Sequence, residues 1–296
     1  MKLLPDRMMR CILVGHSVVL ASVGRHRTLK LTQQSRAITR RLGVGQLRVR
    51  ARALSWWVAV PARRVKDLDI GGRLPSRAIA LTFDDGPDPE VTPKLLELLD
   101  AHSARATFFM CGLAAKRHPG LVRSVVASGH SIGGHSWDHR PVHSLSESEW
   151  RRQIDDTHML LEDLSGGEVR WFRPPRGHTD RYTREKLRRR GVATVYWSSS
   201  GHDWRLRDPE LIAGAVLDDL DPGAIVLLHD AIGDFLLSGR GPVNQEPTVR
   251  ATDLILHAAK AQGLEPVGLS ALPSVTLPSV GRPRLARTWR PLLPQE

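Results

Sequence analysis

The stretch Ile79-Ala80-Leu81-Thr82-Phe83-Asp84-Asp85-Gly86-Pro87-Asp88-Pro89 decides how the chain is read. Apolar, β-favouring residues run straight into two adjacent aspartates and a Gly-Pro turn, the pattern of a buried strand delivering acids to the end of a sheet. In parallel α/β folds ligands bind beyond the carboxyl ends of the strands, which puts Asp84 and Asp85 where chemistry occurs. Two neighbouring carboxylates repel unless a cation lies beside them, so the pair asks for a metal ion, an arginine or both. The competing reading is an Asx-type turn carrying two solvated acids.

Outward from this stretch, short apolar runs alternate with helical patterns. Strands are expected at 79–83, 106–111, 131–134, 169–172, 192–198, 224–228 and 266–269. Helix starts are signalled by Thr92-Pro93 as N-cap and first-turn proline, by the Ser146/Glu149 capping box and by Asp208-Pro209. Seven strands alternating with helices predict an α/β fold whose parallel sheet has right-handed crossovers and is closed or nearly so.

Charge divides the 296 residues into three parts. A leader, 1–66, holds 15 Lys and Arg against one acid; a single catalytic domain, 67–273, holds 24 against 29; a Pro/Arg-rich tail, 274–296, holds 4 against 1. The basic balance therefore belongs to the ends, and the acidic middle argues against nucleic acid as a partner of the core domain. Lys2, Arg7 and Arg10 before the apolar run 11–23 resemble a secretory signal with a small-residue site at Val19-Leu20-Ala21, the alternative being an uncleaved basic leader. The first reading places the protein outside the cytoplasm, in a bacterial cell envelope; the second leaves it cytoplasmic. The segment 54–60, with Trp56 and Trp57, suits peripheral membrane contact or packing, and neither run is long enough to span a bilayer. Cys11 and Cys111 imply no disulfide framework, and Cys111, ending an apolar run, is expected to pack.

Polar clusters follow the expected strands at one end of the sheet: Asp84-Asp85, Gly134-His135-Ser136-Trp137-Asp138-His139, Arg173-Pro174-Pro175-Arg176-Gly177, His202-Asp203-Trp204 and Leu227-Leu228-His229-Asp230. His135 and His139 have the spacing that puts two imidazoles on one face of a helical turn. Two histidines and one carboxylate leave coordination positions open for water and substrate, as in a catalytic metal site. Alone, the same spacing reads as a solvated helix face. Asp138, His143 and His178 receive no role, and His202 is expected to border the cleft.

TFDDGPDP, HSWDH, RPPRG, HDW and LLH, in this order, resemble the five motifs of the polysaccharide deacetylases, carbohydrate esterases sharing the NodB-type chitooligosaccharide deacetylase domain. The resemblance covers 79–270 and neither end. It implies a distorted seven-stranded (β/α) barrel and metal-dependent removal of acetyl groups from N- or O-acetylated sugars. By this resemblance Asp85, His135 and His139 would hold a divalent ion, zinc first, with cobalt, nickel or manganese as alternatives. Asp84 would be the general base, Arg173 its holder, His229 the general acid and Asp203 its partner. Trp204 and Leu227 would wall the acetyl methyl pocket, and the Arg176 backbone N–H would help hold the oxyanion. Two departures stand out: Arg176 replaces the family's usual Tyr, and Ser198-Ser199-Ser200-Gly201 replaces an acid often found before the Asp-Trp pair. The expected substrates are peptidoglycan amino sugars and chitin-like or poly-N-acetylglucosamine chains. The alternatives are a small-molecule amide or imide hydrolase, and a non-catalytic glycan- or membrane-binding relative. Nothing in the sequence indicates an oligomeric state.

Overall fold

Strand β3 (Ala78–Asp84) is buried along its whole length, because it runs through the middle of a parallel sheet covered on both faces. A computed structural model describes residues 9–14, 17–22, 77–233 and 243–271. The leader's remainder, including 54–60, and the tail 274–296 lie outside the described residues. The chain divides into two units, Met1–Ala59 and Val60–Glu296. In the first, β1 (Met9–Val14) and β2 (Ser17–Ser22) form an antiparallel pair across the apolar run.

In the second unit, β3, β4 (Thr107–Met110), β5 (Ser131–Gly134), β6 (Trp171–Phe172), β7 (Ala193–Thr194), β8 (Ser199–Ser200), β9 (Ile225–His229) and β10 (Glu265–Val267) alternate with helices. The helices are α1 (Thr92–Ala101), α2 (Gly112–Arg117), α3 (Pro119–Ala127), α4 (Glu147–Trp150), α5 (Asp156–Ser165), α6 (Arg181–Arg189), α7 (Pro209–Leu217) and α8 (Glu246–Ala261). The strand order is β7-β6-β5-β4-β3-β9-β8, with β10 beside the start of β3, and every pairing is parallel. The parallel sheet curls into a half-barrel, matching the distorted (β/α) barrel expected from the motifs.

Two strands depart most from expectation. The run 192–198 is not a single strand: the Val195 N–H donates to the Phe172 carbonyl while the Ser198 N–H donates to the Ile225 carbonyl. The segment thus leaves β6 and crosses to β9, so the two edges of the sheet are joined through one stretch of chain. Strand 169–172 is likewise shorter than expected, only Trp171 and Phe172.

Alternation along β3 turns Ile79, Leu81 and Phe83 to one face, where they join Leu95 and Leu99 of α1 and Ile255 of α8 in the main core. It turns Ala80, Thr82 and Asp84 to the other, where Ala80 packs with Phe109, Val195, Ile225 and Leu269 inside the barrel. The capping box at Ser146 and the Asp208 cap form as expected. Thr92 does not cap α1 with its side chain. Asp88 Oδ1 accepts the Glu90 and Val91 N–H groups instead, and the Thr92 hydroxyl donates to Asp230 Oδ2 at 2.6 Å. Val91 stands at the N-cap position and Thr92 is already the first helical residue, so its hydroxyl oxygen accepts the Asp88 N–H rather than one from the first turn.

Candidate metal centre and active site

Strand register sets the stage: Asp84 pairs with Phe109 on one side and His229 on the other, Met110 with Gly134, and Gly134 with Phe172. The residues at or just beyond this row are Asp84, Asp85, His135, Arg173 and His229.

Arg173 is completely buried. Its Nη1 donates to Asp84 Oδ1 and to Thr82 Oγ1, both at 2.7 Å, and Nη2 donates to the Tyr196 carbonyl at 3.1 Å. The guanidinium carbon lies 4.2 Å from the centre of the Phe109 ring. The crossing segment 193–200 leaves the Tyr196 carbonyl off the ladder, and Arg173 takes it. A buried guanidinium is tolerated only when its lost water is replaced in this way. Nη1 fixes Asp84 Oδ1 and leaves Oδ2 facing His135 Nε2 at 3.8 Å.

Continued strand alternation would send Asp85 to the helix side. Its left-handed backbone, φ 81°, breaks the alternation and brings both acids to the same imidazole. Asp85 Oδ2 accepts the Gly233 N–H at 2.8 Å. Asp85 Oδ1 makes no hydrogen bond among the described residues, although His135 Nε2 lies 3.1 Å away and His139 Nε2 3.4 Å away. His135 Nδ1 donates to the Arg173 carbonyl at 2.7 Å, which turns its Nε2 lone pair toward Asp85. Burial alone would raise the Asp85 pKa; the neighbouring His139 and His135 outweigh it and hold the carboxyl well below its ordinary range. A buried carboxylate oxygen left unpaired between two ring nitrogens fits a divalent cation, and this donor set suits a zinc-like ion with open positions.

His135 and His139 converge, but not on a helical turn. They flank an irregular loop in which Ser136 (φ 60°) and His139 (φ 63°) are left-handed. The loop is bolted down instead by the N–H groups of Gly112 and Leu113, which donate to the Ser136 and Trp137 carbonyls at 3.0 and 2.8 Å. Gln153 accepts the Trp137 N–H at 3.0 Å, and the Trp137 indole occupies the space beside Gly112. Gly233 closes the other side: a Cβ there would fall 2.5 Å from His139 Cγ.

His229 Nδ1 donates to Asp203 Oδ1 at 2.8 Å, and the His229 N–H donates to Asp203 Oδ2 at 2.7 Å. Thr248 donates to the same Oδ2 at 2.9 Å. Burial disfavours the imidazolium, but the Asp203 charge and hydrogen bond, with Asp85 and Asp84 beyond, push the His229 pKa up to about 9. Leu227 is buried opposite Thr82 and Ser200. Trp204 is 39% exposed, and Arg176 is an exposed left-handed residue, φ 56°, in the single turn Pro175–Gly177. Asp138 is mostly buried with an ion pair to Arg140, while His143, His178 and His202 are exposed. Cys111 packs as expected, its thiol donating to the His135 carbonyl at 3.4 Å.

Asp230 received no role from the sequence, although it adjoins His229. Its Oδ1 accepts the Gly86 N–H at 3.1 Å and its Oδ2 the Thr92 hydroxyl, so it clamps the turn that carries Asp84 and Asp85. A Cβ on Gly86 would lie 2.1 Å from Asp230 Oδ2. Gly86→Ala is therefore expected to cost about 1–3 kcal/mol. In Asp230→Ala the same change should cost measurably less, a coupling that thermal melts of the double-mutant cycle would reveal.

A family model described as polysaccharide deacetylase matches residues 71–195. The crystal structure of the Bc1960 peptidoglycan N-acetylglucosamine deacetylase in complex with 4-naphthalen-1-yl-N-oxidanyl-benzamide is 31% identical, with a TM-score of 0.62 over 70% of this chain and 92% of that one. The chain belongs to the polysaccharide deacetylase family. Another structure of this fold, a family 4 acetyl xylan esterase from Clostridium thermocellum in complex with a cobalt ion, is 32% identical with a TM-score of 0.56, over 65% of this chain and 88% of that one. The peptidoglycan-N-acetylglucosamine deacetylase PgdA of Listeria monocytogenes is 34% identical over 197 residues, 67% of this chain. The chain spans 39% of that protein's length. The family match ends before Asp203 and His229, so the geometry above is what ties those two residues to the site.

Proposed function

We propose that this chain is a metal-dependent deacetylase that removes acetyl groups from N-acetylated sugars of an envelope polysaccharide, peptidoglycan first, with chitin-like or poly-N-acetylglucosamine chains as alternatives. The observation that carries this reading is the unpaired Asp85 Oδ1 between His135 and His139, with Arg173-bound Asp84 facing the same imidazole. The relatives' names and the cobalt in the esterase structure support it.

A divalent cation held by Asp85, His135 and His139 would polarise the acetyl carbonyl and acidify a water. Asp84 takes the proton of the attacking water at Oδ2, since Arg173 commits Oδ1. His229, charged at neutral pH, donates its proton to the departing sugar nitrogen, and Asp203 keeps that imidazole oriented. The Arg176 N–H, Leu227 and Trp204 line the acyl side. The envelope setting follows from the substrate class, and the basic leader would add peripheral membrane contact. No described helix is long and apolar enough to cross a membrane.

Acetate release across chitin oligomers, peptidoglycan, acetylxylan and small amides tests the proposal. Release from N-acetylglucosamine polymers is the expected result; release from small amides alone would move the substrate class, and none from any acetylated compound would favour a binding protein.

The proton on His229 gives a pH signature. Turnover should fall on the alkaline side as pH rises through the His229 pKa, at or below about 9, because a cation at the triad repels the imidazolium. Asp203→Asn should move this limb at least about one unit lower. The stability linkage has the same sign. The folded pKa is raised from 6.5, so the pair's contribution is complete below 6.5 and is lost as pH climbs through about 9. Asp203→Asn should therefore lower the melting temperature more at pH 6 than at pH 10.

A further inference from the structure

We propose that His102, Asp253 and His257 form a second metal site, on the outer surface, which takes one divalent transition-metal cation of the zinc, copper or nickel class and staples α1 to α8. The inference is independent of the deacetylase reading.

His102 caps the C-terminus of α1, its N–H donating to the Leu98 carbonyl at 3.2 Å, so its backbone is fixed. Asp253 and His257 are one turn apart on α8, and helical spacing puts them on one face. Asp253 Oδ1 lies 2.8 Å from His102 Nε2 and 3.5 Å from His257 Nε2. The two rings meet edge to face, centroids 4.8 Å apart at 82°, and one donor atom from each residue lies within 4.8 Å of the others. This is the donor set of the inner triad, repeated: one carboxylate oxygen faced by two Nε2 atoms. Zinc bonds of 2.0–2.1 Å in tetrahedral geometry place ligands about 3.3 Å apart, so adjustments of roughly 1 Å seat an ion. The side chains are 14%, 44% and 68% exposed for His102, Asp253 and His257, which admits the ion and leaves water to complete its coordination.

The position suggests what the ion does. Helix α1 follows the turn after Asp85, and α8 leads into β10, which pairs with β3. Lys94 and Glu246, 2.6 Å apart, already tie the same two helices. A cation joining residues 151 apart in sequence would tie together two helices that both pack in the core against β3. Its effect is on stability rather than turnover.

The test uses metal-stripped His135→Ala, which lacks a ligand of the inner centre, titrated with zinc by calorimetry and assayed for bound metal. One equivalent should bind, raising the melting temperature by roughly 5–10 °C at hundredfold excess over the dissociation constant. Adding His102→Ala or His257→Ala should abolish both the uptake and the shift. In the wild type the count should be two, and in His257→Ala alone one, which gives the answer should the double variants misfold. If His135→Ala takes up no zinc, or if the His257 change leaves uptake intact, the three groups are an ion pair and the site is refuted. Loss of the inner equivalent alone, with the outer one kept, would bear on the deacetylase centre and leave this site standing.

Discussion

Asp84→Asn is expected to keep the metal of the inner centre and to lose turnover by about 100- to 10,000-fold. The amide matches the carboxylate in shape and can still accept from Arg173 Nη1, now at 2.7 Å from Asp84 Oδ1, but it cannot take a proton from water. Burying Arg173 without its counter-charge also weakens the fold, by as much as about 3–5 kcal/mol. Melting temperature must therefore be measured beside acetate release and metal content. A folded, metal-loaded variant without turnover assigns Asp84 as the base; a variant that still turns over at the wild-type rate removes it from that role.

His135→Ala should lose the inner metal itself, with affinity at least about 100-fold weaker. His135 supplies one of three donor atoms, and its Nδ1 bond to the Arg173 carbonyl is what aims that donor. Without the ring, Asp85 faces His139 alone. Metal analysis by mass spectrometry decides the matter: a zinc count equal to that of the wild type would place the ligands elsewhere. Together the two variants test the proposed division between Asp84 as base and His135 as metal ligand.

The strand row was legible because each element ends in residues that make no sense within a core. Asp84-Asp85 after TF, His135 after Ser131–Gly134 and Arg173 after Phe172 all announce themselves as polar groups at the end of apolar runs. What the sequence obscured was how those groups are aimed. The His135/His139 spacing reads as helical, yet the loop converges through left-handed residues held by α2 and Gln153. Alternation would separate Asp84 from Asp85, and a single positive φ brings them together. The run 192–198 reads as one strand because local periodicity cannot see a crossing from one sheet edge to the other. Gly233 and Thr248 left no local signal, since their partners Asp85 and Asp203 are 148 and 45 residues away. Thr92 reads as a helix cap, but the helix begins at Thr92 itself, and its hydroxyl bridges the Asp88 N–H and the distant Asp230.

The most direct measurement is acetate release from N-acetylglucosamine oligomers and peptidoglycan by protein stripped with a chelator, before and after zinc is restored. The expected result is no release from the stripped protein and full release once the inner centre is refilled. Release that persists undiminished after stripping, or that never appears with the metal demonstrably bound, would contradict a cation gripped by Asp85, His135 and His139 beside the Asp84 base.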